Sequence, residues 1–203
     1  MTLPASTSAS IPRSISTEEI ASLPIRRYEG LVVQVETREQ LVAAAADIVR
    51  ERVVGMDTET RPAFRVGESY PPCLAQVATA RAVYLFPLQR MDCSGVLAGM
   101  LGDPRVVKIG IGLADDLHKL KQVFEFEQAS VLDAGAVVKR HGVEQTGLRN
   151  LAAMFLGFRI AKGKRTSNWA ARNLTEAQIA YAATDAWAPR ELFLRYQELG
   201  LLG

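Results

Sequence analysis

The spacing of apolar residues predicts short strands in the first half of the chain. Residues 31–35 alternate between apolar and other side chains, which is the period of a half-buried strand. Apolar stretches bounded by turn residues predict three further strands at 53–58, 73–79 and 82–86. Only a tight turn near residues 80–81 separates the last two, so we expect them to form a hairpin.

The second half of the chain alternates helical patterns with short apolar stretches. Strands are predicted at 106–113 and 131–132. Capping-box residues begin helices after Ser16, Thr37 and Thr175, each followed three residues later by Glu or Gln. Helices are predicted at about 39–50, 94–101, 115–123, 134–140, 148–156 and 175–199. This order predicts one α/β domain with an antiparallel first half, parallel βαβ additions and a helical C-terminal portion.

The N-terminal segment, residues 1–25, is expected to be a flexible tail preceding a single domain at 26–203. It is rich in Ser, Thr, Ala and Pro near its start and lacks the basic and apolar segments of a secretory signal. We therefore expect a cytoplasmic protein. No uninterrupted apolar run is long enough to cross a bilayer, so no membrane partner is predicted.

Composition and charge exclude several classes of protein. The chain has 203 residues, of which 48% are hydrophobic and 23% charged, and these values are typical of globular domains rather than of fibres or disordered chains. A net charge of +2 points to no particular partner. Cys73 and Cys93 lie in no CxxC or CxxH setting, which favours buried thiols over a zinc site or a disulfide.

Acidic residues occur where the apolar pattern does not expect them. Asp57 and Glu59 interrupt a strand, and residues two apart on a strand share a face, so their carboxylates converge. Asp115 and Asp116 follow a glycine-containing strand and begin a predicted helix. Taken alone, these residues are ordinary: an acidic strand edge and helix-capping acids.

Tyr181 and Asp185 are four residues apart on the last predicted helix and so share a face. Alone, they are an ordinary hydrogen-bonded surface pair. Together with the other acids they form a set with metal-binding chemistry, because hard divalent cations prefer oxygen ligands. Two such ions about 4 Å apart activate a water and stabilise the leaving oxygen of a phosphodiester. This requires three or four acids from separate elements and a group that orients the water.

Three motifs carry a family resemblance: DTE at 57–59, KIGIG at 108–112 followed by Asp116 and Lys119-Leu120, and YAATD at 181–185. They resemble, in order and spacing, the motifs of the DEDD 3′–5′ exonucleases, and the tyrosine before the last acid is typical of the DEDDy branch. The likeness covers about residues 30–200 and includes Ser167-Asn168-Trp169. It is greatest with the exonuclease domain of the Werner syndrome helicase and more distant with ribonuclease D.

The resemblance implies an α/β, ribonuclease H-like fold with a mixed central sheet flanked by helices. It implies that two Mg²⁺ or Mn²⁺ ions are bound by Asp57, Glu59, Asp116 and Asp185, and that Tyr181 holds the attacking water and helps to deprotonate it. Asp116 is chosen over Asp115 for its offset from the glycines, and a shared role for Asp115 stays open.

The substrate implied is nucleic acid with a free 3′ end, either a single strand or a recessed duplex. DNA is favoured, with release of nucleoside 5′-monophosphates. The candidate substrate contacts are Thr58, Thr60, His118, Arg165 and Trp169. His118 stands where relatives often carry a larger aromatic, and Trp169 either stacks on a base or packs against the helices. Flanking cations suited to phosphates occur at 61, 65, 162, 164 and 165.

Three alternatives remain. The first is an exoribonuclease acting on RNA ends or short oligoribonucleotides. The second is a non-catalytic nucleic-acid-binding module, which the complete set of acids disfavours. The third is a dinucleotide-binding protein, because Gly110 and Gly112 follow a strand. Against this alternative, Asp115 occupies the position of the third glycine of the motif, and acids there would repel a pyrophosphate.

Overall fold

A computed structural model describes residues 11–63, 65, 67–163 and 167–203. Its centre is a six-stranded mixed sheet, with a separate two-stranded sheet at one side. The strands are β1 (Ile25–Arg26), β2 (Leu31–Gln34), β3 (Val53–Thr60), β4 (Pro72–Ala78), β5 (Ala82–Pro87), β6 (Val107–Gly110), β7 (Val131–Asp133) and β8 (Arg159–Ile160).

The strand order in the main sheet is β2-β5-β4-β3-β6-β7. β4 runs antiparallel to both of its neighbours, β3 and β5, which confirms the predicted hairpin. The outer pairings, β2 with β5, β3 with β6 and β6 with β7, are all parallel. β3 is therefore a central strand where the antiparallel and parallel halves of the sheet meet.

Helices cover both faces of this sheet. They are α1 (Thr17–Ser22), α2 (Arg38–Ile48), α3 (Ser94–Gly102), α4 (Leu113–Leu120), α5 (Ala134–Lys139), α6 (Leu148–Leu151) and α7 (Glu176–Glu198). One face packs against α2, α3 and α4, and α7 lies across the other. α6 continues into a π-helical turn at Ala152–Leu156, where a single α-helix was predicted. None of the helices in the described ranges is both long enough and apolar enough to cross a membrane.

Side chains of β3 alternate between the two faces of the sheet. Val54 and Met56 enter the core shared with α2, α3 and α4, whereas Val53 packs with residues of α7. Because strand side chains have a period of two, Asp57 and Glu59 lie on the α7 face. Thr58 lies on the face of α4.

Part of the predicted N-terminal tail packs against the domain. Within the described residues, 11–25 include α1 and the first residue of β1, and β1 pairs in parallel with β8. The predicted capping box is present, with Ser16 Oγ accepting a hydrogen bond from Glu19 N. Backbone hydrogen bonds join these residues to the segment around residue 144 and to β8. Residues 1–10 lie outside the described residues, so the tail predicted there stays a prediction.

Both cysteines are free and buried, as their sequence context predicted. Burial raises the pKa of the Cys73 and Cys93 thiols to about 11 in each case. Both thiols are therefore protonated at neutral pH.

Candidate active site

Three carboxylates from two elements meet at the end of β3. Asp57 and Glu59 extend from β3, and Asp185 extends towards them from α7. One carboxylate oxygen of each lies within 4.8 Å of the others, and all three residues are partly buried. The predicted convergence of Asp57 with Glu59, and of both with Asp185, is present.

A close backbone contact between β3 and α7 brings these carboxylates together. Gly55 lies so near α7 that a Cβ placed on it would be 1.9 Å from the carbonyl oxygen of Ala186. On the same helix, the small side chains of Ala182, Ala183 and Ala186 are fully buried in a cluster with residues of β4 and β5. Asp185 precedes Ala186, so this contact sets the distance between Asp185 and Asp57.

The fourth acid, Asp116, approaches from the opposite face of the sheet. Thr58 Oγ1 donates a hydrogen bond of 2.9 Å to Asp116 Oδ1. Asp116 is partly buried, whereas Asp115 is exposed. The geometry therefore distinguishes the two acids that the sequence left open, since Asp116 is the one turned towards β3.

The glycines of the KIGIG motif allow β6 to lie close to β3 and α4 to begin directly after it. A Cβ on Gly110 would be 2.4 Å from the carbonyl oxygen of Met56 on β3. Gly112 begins α4 with a φ of 71°, a conformation that favours glycine. The amide of Gly112 donates to a carboxylate oxygen of Asp133, which fixes the first turn of the helix that carries Asp116.

The electrostatics of the cluster suit a divalent cation. Burial raises the pKa of Asp57 well above its usual range, and the nearby charges of Asp185, Glu59 and Asp116 raise it further. Burial likewise raises the pKa of Asp116, against the lowering effects of Thr58 and Lys119. Carboxylate oxygens are the ligands that Mg²⁺ and Mn²⁺ prefer. Because a bound cation would offset the mutual repulsion, the donor set fits such an ion.

Tyr181 lies beside the acids, and two neighbouring residues contact its ring. Burial, the charge of Asp185 and a hydrogen bond to that carboxylate all raise the pKa of Tyr181, so the phenol is protonated at neutral pH. The ring of Trp169 lies 5.9 Å from that of Tyr181, centroid to centroid. Gly163 also lies against the ring, since a Cβ on it would be 1.9 Å from Cδ2 of Tyr181. These contacts leave the ring little freedom to turn.

The cluster lies in a cleft of about 1080 Å³. This volume exceeds the roughly 300–1,000 Å³ of most small-molecule pockets. Cationic side chains lining the cleft are Arg61, Lys119, Arg149 and Lys162. The Arg61 guanidinium carbon lies 3.5 Å from the centre of the Tyr70 ring. The cleft thus combines acids for a metal ion with cations suited to phosphates.

The residues predicted to contact substrate are placed differently from one another. Thr58 and Thr60 line the cleft. His118 is exposed on α4 and is not among the described residues that line it. Trp169 is only 2% exposed and packs against Tyr181, which corresponds to the packing role rather than to stacking on a base. Arg165 lies outside the described residues.

Several lining residues gave no signal in the sequence. Arg149 and Asn150 reach the cleft from α6, and Thr17 and Ile20 reach it from α1. No acid, glycine motif or aromatic marks these positions. They line the cleft because α1 and α6 are brought beside it in the fold.

We expect the stability of the metal-free protein to depend on pH through Asp57. The folded-state pKa of Asp57 is raised, so the protonated carboxyl group stabilises the folded protein. This stabilisation is present in full below the unfolded-state pKa, near 4, and is lost as the pH rises through the folded-state pKa. Asp57→Asn removes this dependence. In thermal melts, the stability of the variant relative to wild type should rise with pH by at most about 1.4 kcal/mol per pH unit in that window.

Added Mg²⁺ at neutral pH should raise the melting temperature of wild type, since a ligand at about 100 times its Kd adds about 2.7 kcal/mol. The same Mg²⁺ should stabilise Asp57→Asn much less. Parallel pH profiles for the two proteins, together with equal responses to Mg²⁺, would contradict the assignment of Asp57 as a ligand.

Comparison with known proteins agrees with this geometry. Residues 32–199 match the sequence model of a family described as 3′–5′ exonuclease. Ribonuclease D from Gluconacetobacter diazotrophicus is 36% identical over 169 residues, which cover 79% of this chain and 41% of that protein. The mouse bifunctional 3′–5′ exonuclease/ATP-dependent helicase WRN is 33% identical over 192 residues, 90% of this chain and 14% of that protein.

The fold is also similar to that of solved structures. The EXO domain of Aedes aegypti Nibbler superposes with a TM-score of 0.74 at 24% identity, covering 87% of this chain and 91% of that one. The mixed sheet with helices on both faces is therefore ribonuclease H-like, as the resemblance implied. The chain spans less than half of the length of either of the two relatives compared above.

Proposed function

Since the chain belongs to the 3′–5′ exonuclease family, we propose that it removes nucleotides one at a time from a free 3′ end of nucleic acid, with the help of divalent cations, and releases nucleoside 5′-monophosphates. The observation that carries this proposal is the convergence of Asp57, Glu59 and Asp185 within 4.8 Å on the floor of the cleft. DNA is the substrate favoured by the resemblance of the motifs.

Asp57, Glu59, Asp116 and Asp185 are the residues that would hold two Mg²⁺ or Mn²⁺ ions. When bound, such ions activate a water and stabilise the leaving oxygen of the phosphodiester. The protein's part is to hold the carboxylate oxygens of Asp57, Glu59 and Asp185 within 4.8 Å of one another on one face of β3, with Asp116 approaching from the other face. The hydrogen bond from Thr58 orients Asp116, and the contact at Gly55 sets the position of Asp185.

Tyr181 acts on the attacking water through its hydroxyl group. Because its ring contacts Trp169 and Gly163, the hydroxyl has a fixed position beside Asp185. Since the pKa of Tyr181 is raised, the neutral phenol orients the water by hydrogen bonding. Deprotonation of that water by Tyr181, the second role implied by the resemblance, requires the cations to lower this pKa.

The cationic lining binds the substrate through its backbone. Arg61, Lys119, Arg149 and Lys162 border the cleft on several sides of the acids. Contacts of this kind hold phosphates in position without reading the base sequence. The exonuclease should therefore act with little sequence preference.

Tyr181→Phe should slow the chemical step about 100-fold while leaving metal binding intact, because only the hydroxyl that orients the water is lost. Single-turnover rates at saturating Mg²⁺ measure the first effect, and the Mg²⁺-induced shift in melting temperature measures the second. Tyr196→Phe is a matched control, since Tyr196 lies on the same helix and its buried hydroxyl has no partner among the described residues. Loss of the Mg²⁺-induced shift in Tyr181→Phe would show instead that the hydroxyl is needed for the ion.

The activity itself is tested by a time course on 5′-labelled substrates. A single strand and a recessed duplex are incubated with Mg²⁺, Mn²⁺ or EDTA, and the products are separated by length. A descending ladder that disappears with EDTA is the expected result, and chromatography of the unlabelled released mononucleotides should find nucleoside 5′-monophosphates. Retention of labelled strand by folded protein with no shortening under either metal would favour the non-catalytic binding module.

RNA is the second candidate substrate. The observation that favours it is the 36% identity to a protein named ribonuclease D. A protein distinguishes the two polymers mainly through the 2′-hydroxyl, so matched DNA and RNA strands of one sequence belong in the same time course. The polymer that is shortened faster identifies the preferred substrate.

A further inference from the structure

One wall of the catalytic cleft is formed by a segment outside the matched family region. Thr17 and Ile20 of α1 line the cleft together with the acids. The family model matches residues 32–199, so α1 precedes the matched region. We refer to residues 11–26 as the N-terminal arm.

The arm is fixed to the domain on both sides of α1. Before the helix, Ile15 N donates a hydrogen bond of 2.9 Å to Gln145 Oε1, and the carbonyl of Arg13 accepts one of 2.8 Å from Glu144 N. After the helix, the carbonyl of Pro24 accepts a hydrogen bond of 2.9 Å from Arg159 N. A second contact on this side is the pairing of β1 with β8.

The anchoring segments also belong to the cleft. β8 ends at Ile160, which lines the cleft, and residues 161–163 continue along it to the ring of Tyr181. On the other side, Glu144 and Gln145 lead directly to the lining residues 147–150. The arm therefore bridges two stretches of the wall and places α1 between them.

The chemistry of α1 differs from that of the stretches on either side of it. Arg61, Lys119, Arg149 and Lys162 supply the cations of the cleft from other parts of the chain, whereas α1 contributes Thr17 and the partly buried apolar side chain of Ile20. An apolar side chain cannot hold a phosphate, but it gains free energy by covering the apolar surface of a base or a sugar.

We propose that the N-terminal arm is a substrate-binding wall, in which Ile20 packs against a base or sugar of the single strand that enters the cleft. This deepens the proposed exonuclease function and rests on it. The contact is independent of base identity, and it acts on affinity for the strand because α1 carries none of the carboxylates or the tyrosine of the reaction centre.

The test compares Ile20→Ala with Ile25→Ala on 5′-labelled single-stranded oligonucleotides. Ile25 lies on the same arm and is 57% exposed, and it is not among the described residues that line the cleft. Ile20→Ala should raise KM about fivefold, the effect of losing part of an apolar contact, with kcat within about twofold of wild type. Ile25→Ala should match wild type in both.

A second variant separates substrate contact from folding. Thr17→Asp places a carboxylate in the first turn of α1, where a negative charge is favourable to the helix. It should therefore keep or increase the melting temperature while raising KM, because the charge faces the phosphodiester backbone. If the arm only supported the fold, a Thr17→Asp protein with an undiminished melting temperature would bind the strand as well as wild type does.

Each outcome decides the proposal. Raised KM in Ile20→Ala and Thr17→Asp, with Ile25→Ala unchanged, supports it. If wild type shortens the strands and both cleft variants match Ile25→Ala, the wall makes no contact with substrate and the inference fails alone. If folded wild type shows no metal-dependent shortening, the proposed function fails and this inference falls with it.

Discussion

Replacing Asp57 with alanine should lower the rate of 3′-end degradation by at least about a thousandfold. Burial raises the pKa of Asp57, and the charges of Asp185, Glu59 and Asp116 raise it further, so all three other acids are close enough to act on this carboxylate. The metal-free variant should be as stable as wild type or more stable, because one partly buried, repelled charge has been removed. The time course on a labelled strand measures the first effect, and thermal melts in EDTA measure the second.

Asp115→Ala is the matched control for this experiment. It removes the same side chain from an exposed position next to Asp116. We expect it to keep most of the activity, whereas Asp116→Ala should behave like Asp57→Ala. Near-normal turnover by a folded Asp57→Ala protein would show that the acidic cluster is not the reaction centre. Equal losses in Asp115→Ala and Asp116→Ala would show that both acids serve the site.

Gly55→Ala should damage both stability and activity without touching any carboxylate. The new Cβ would lie 1.9 Å from the carbonyl oxygen of Ala186, and backbone on both sides leaves no flexible group to move away. Helix α7 must shift outwards, which we expect to cost about 1–3 kcal/mol of stability. The same shift carries Asp185 and Tyr181 away from Asp57, and displacements of about 1 Å reduce rates by about 100-fold.

Gly99→Ala provides the control for adding a methyl group to a glycine. Gly99 lies on α3, and no described atom is within 4 Å of a Cβ built on it. Alanine is favoured over glycine in a helix interior by about 0.5–1 kcal/mol, so this variant should be slightly stabilised and fully active. Wild-type activity and stability in Gly55→Ala would mean that α7 adjusts freely, and the tight spacing between β3 and α7 would then have no role in the site.

The sequence was sufficient to predict the parts of the site that depend on local periodicity. The two-residue spacing of Asp57 and Glu59 places them on one face of a strand, and the four-residue spacing of Tyr181 and Asp185 places them on one face of a helix. Both placements are found in the structure, as is the β4–β5 hairpin. These features follow from backbone geometry alone, so no tertiary information was needed to find them.

Features that depend on packing between distant elements were not predictable from the sequence. The hydrogen bond from Thr58 to Asp116 joins residues that are 58 positions apart in the chain, so no local pattern indicates it. Lys108 is fully buried, where its amino group donates to the carbonyls of Asp103 and Val106, although the motif context gave no sign of a structural lysine. Residues 1–25, which include most of the arm, were expected to form a tail because their polar composition indicates contact with solvent. Composition carries no information about backbone pairing such as that of β1 with β8.

The low reactivity of the two buried thiols makes it practical to attach a fluorescent label to the arm alone. A thiolate is the reactive form of cysteine, so Cys73 and Cys93, each with a pKa of about 11, should be almost inert to maleimides in the folded protein. A cysteine introduced at the exposed Ser22, at the end of α1, would then carry a fluorophore in an otherwise unlabelled chain. Its emission would report directly on a strand entering beside the arm, without any change to the native cysteines.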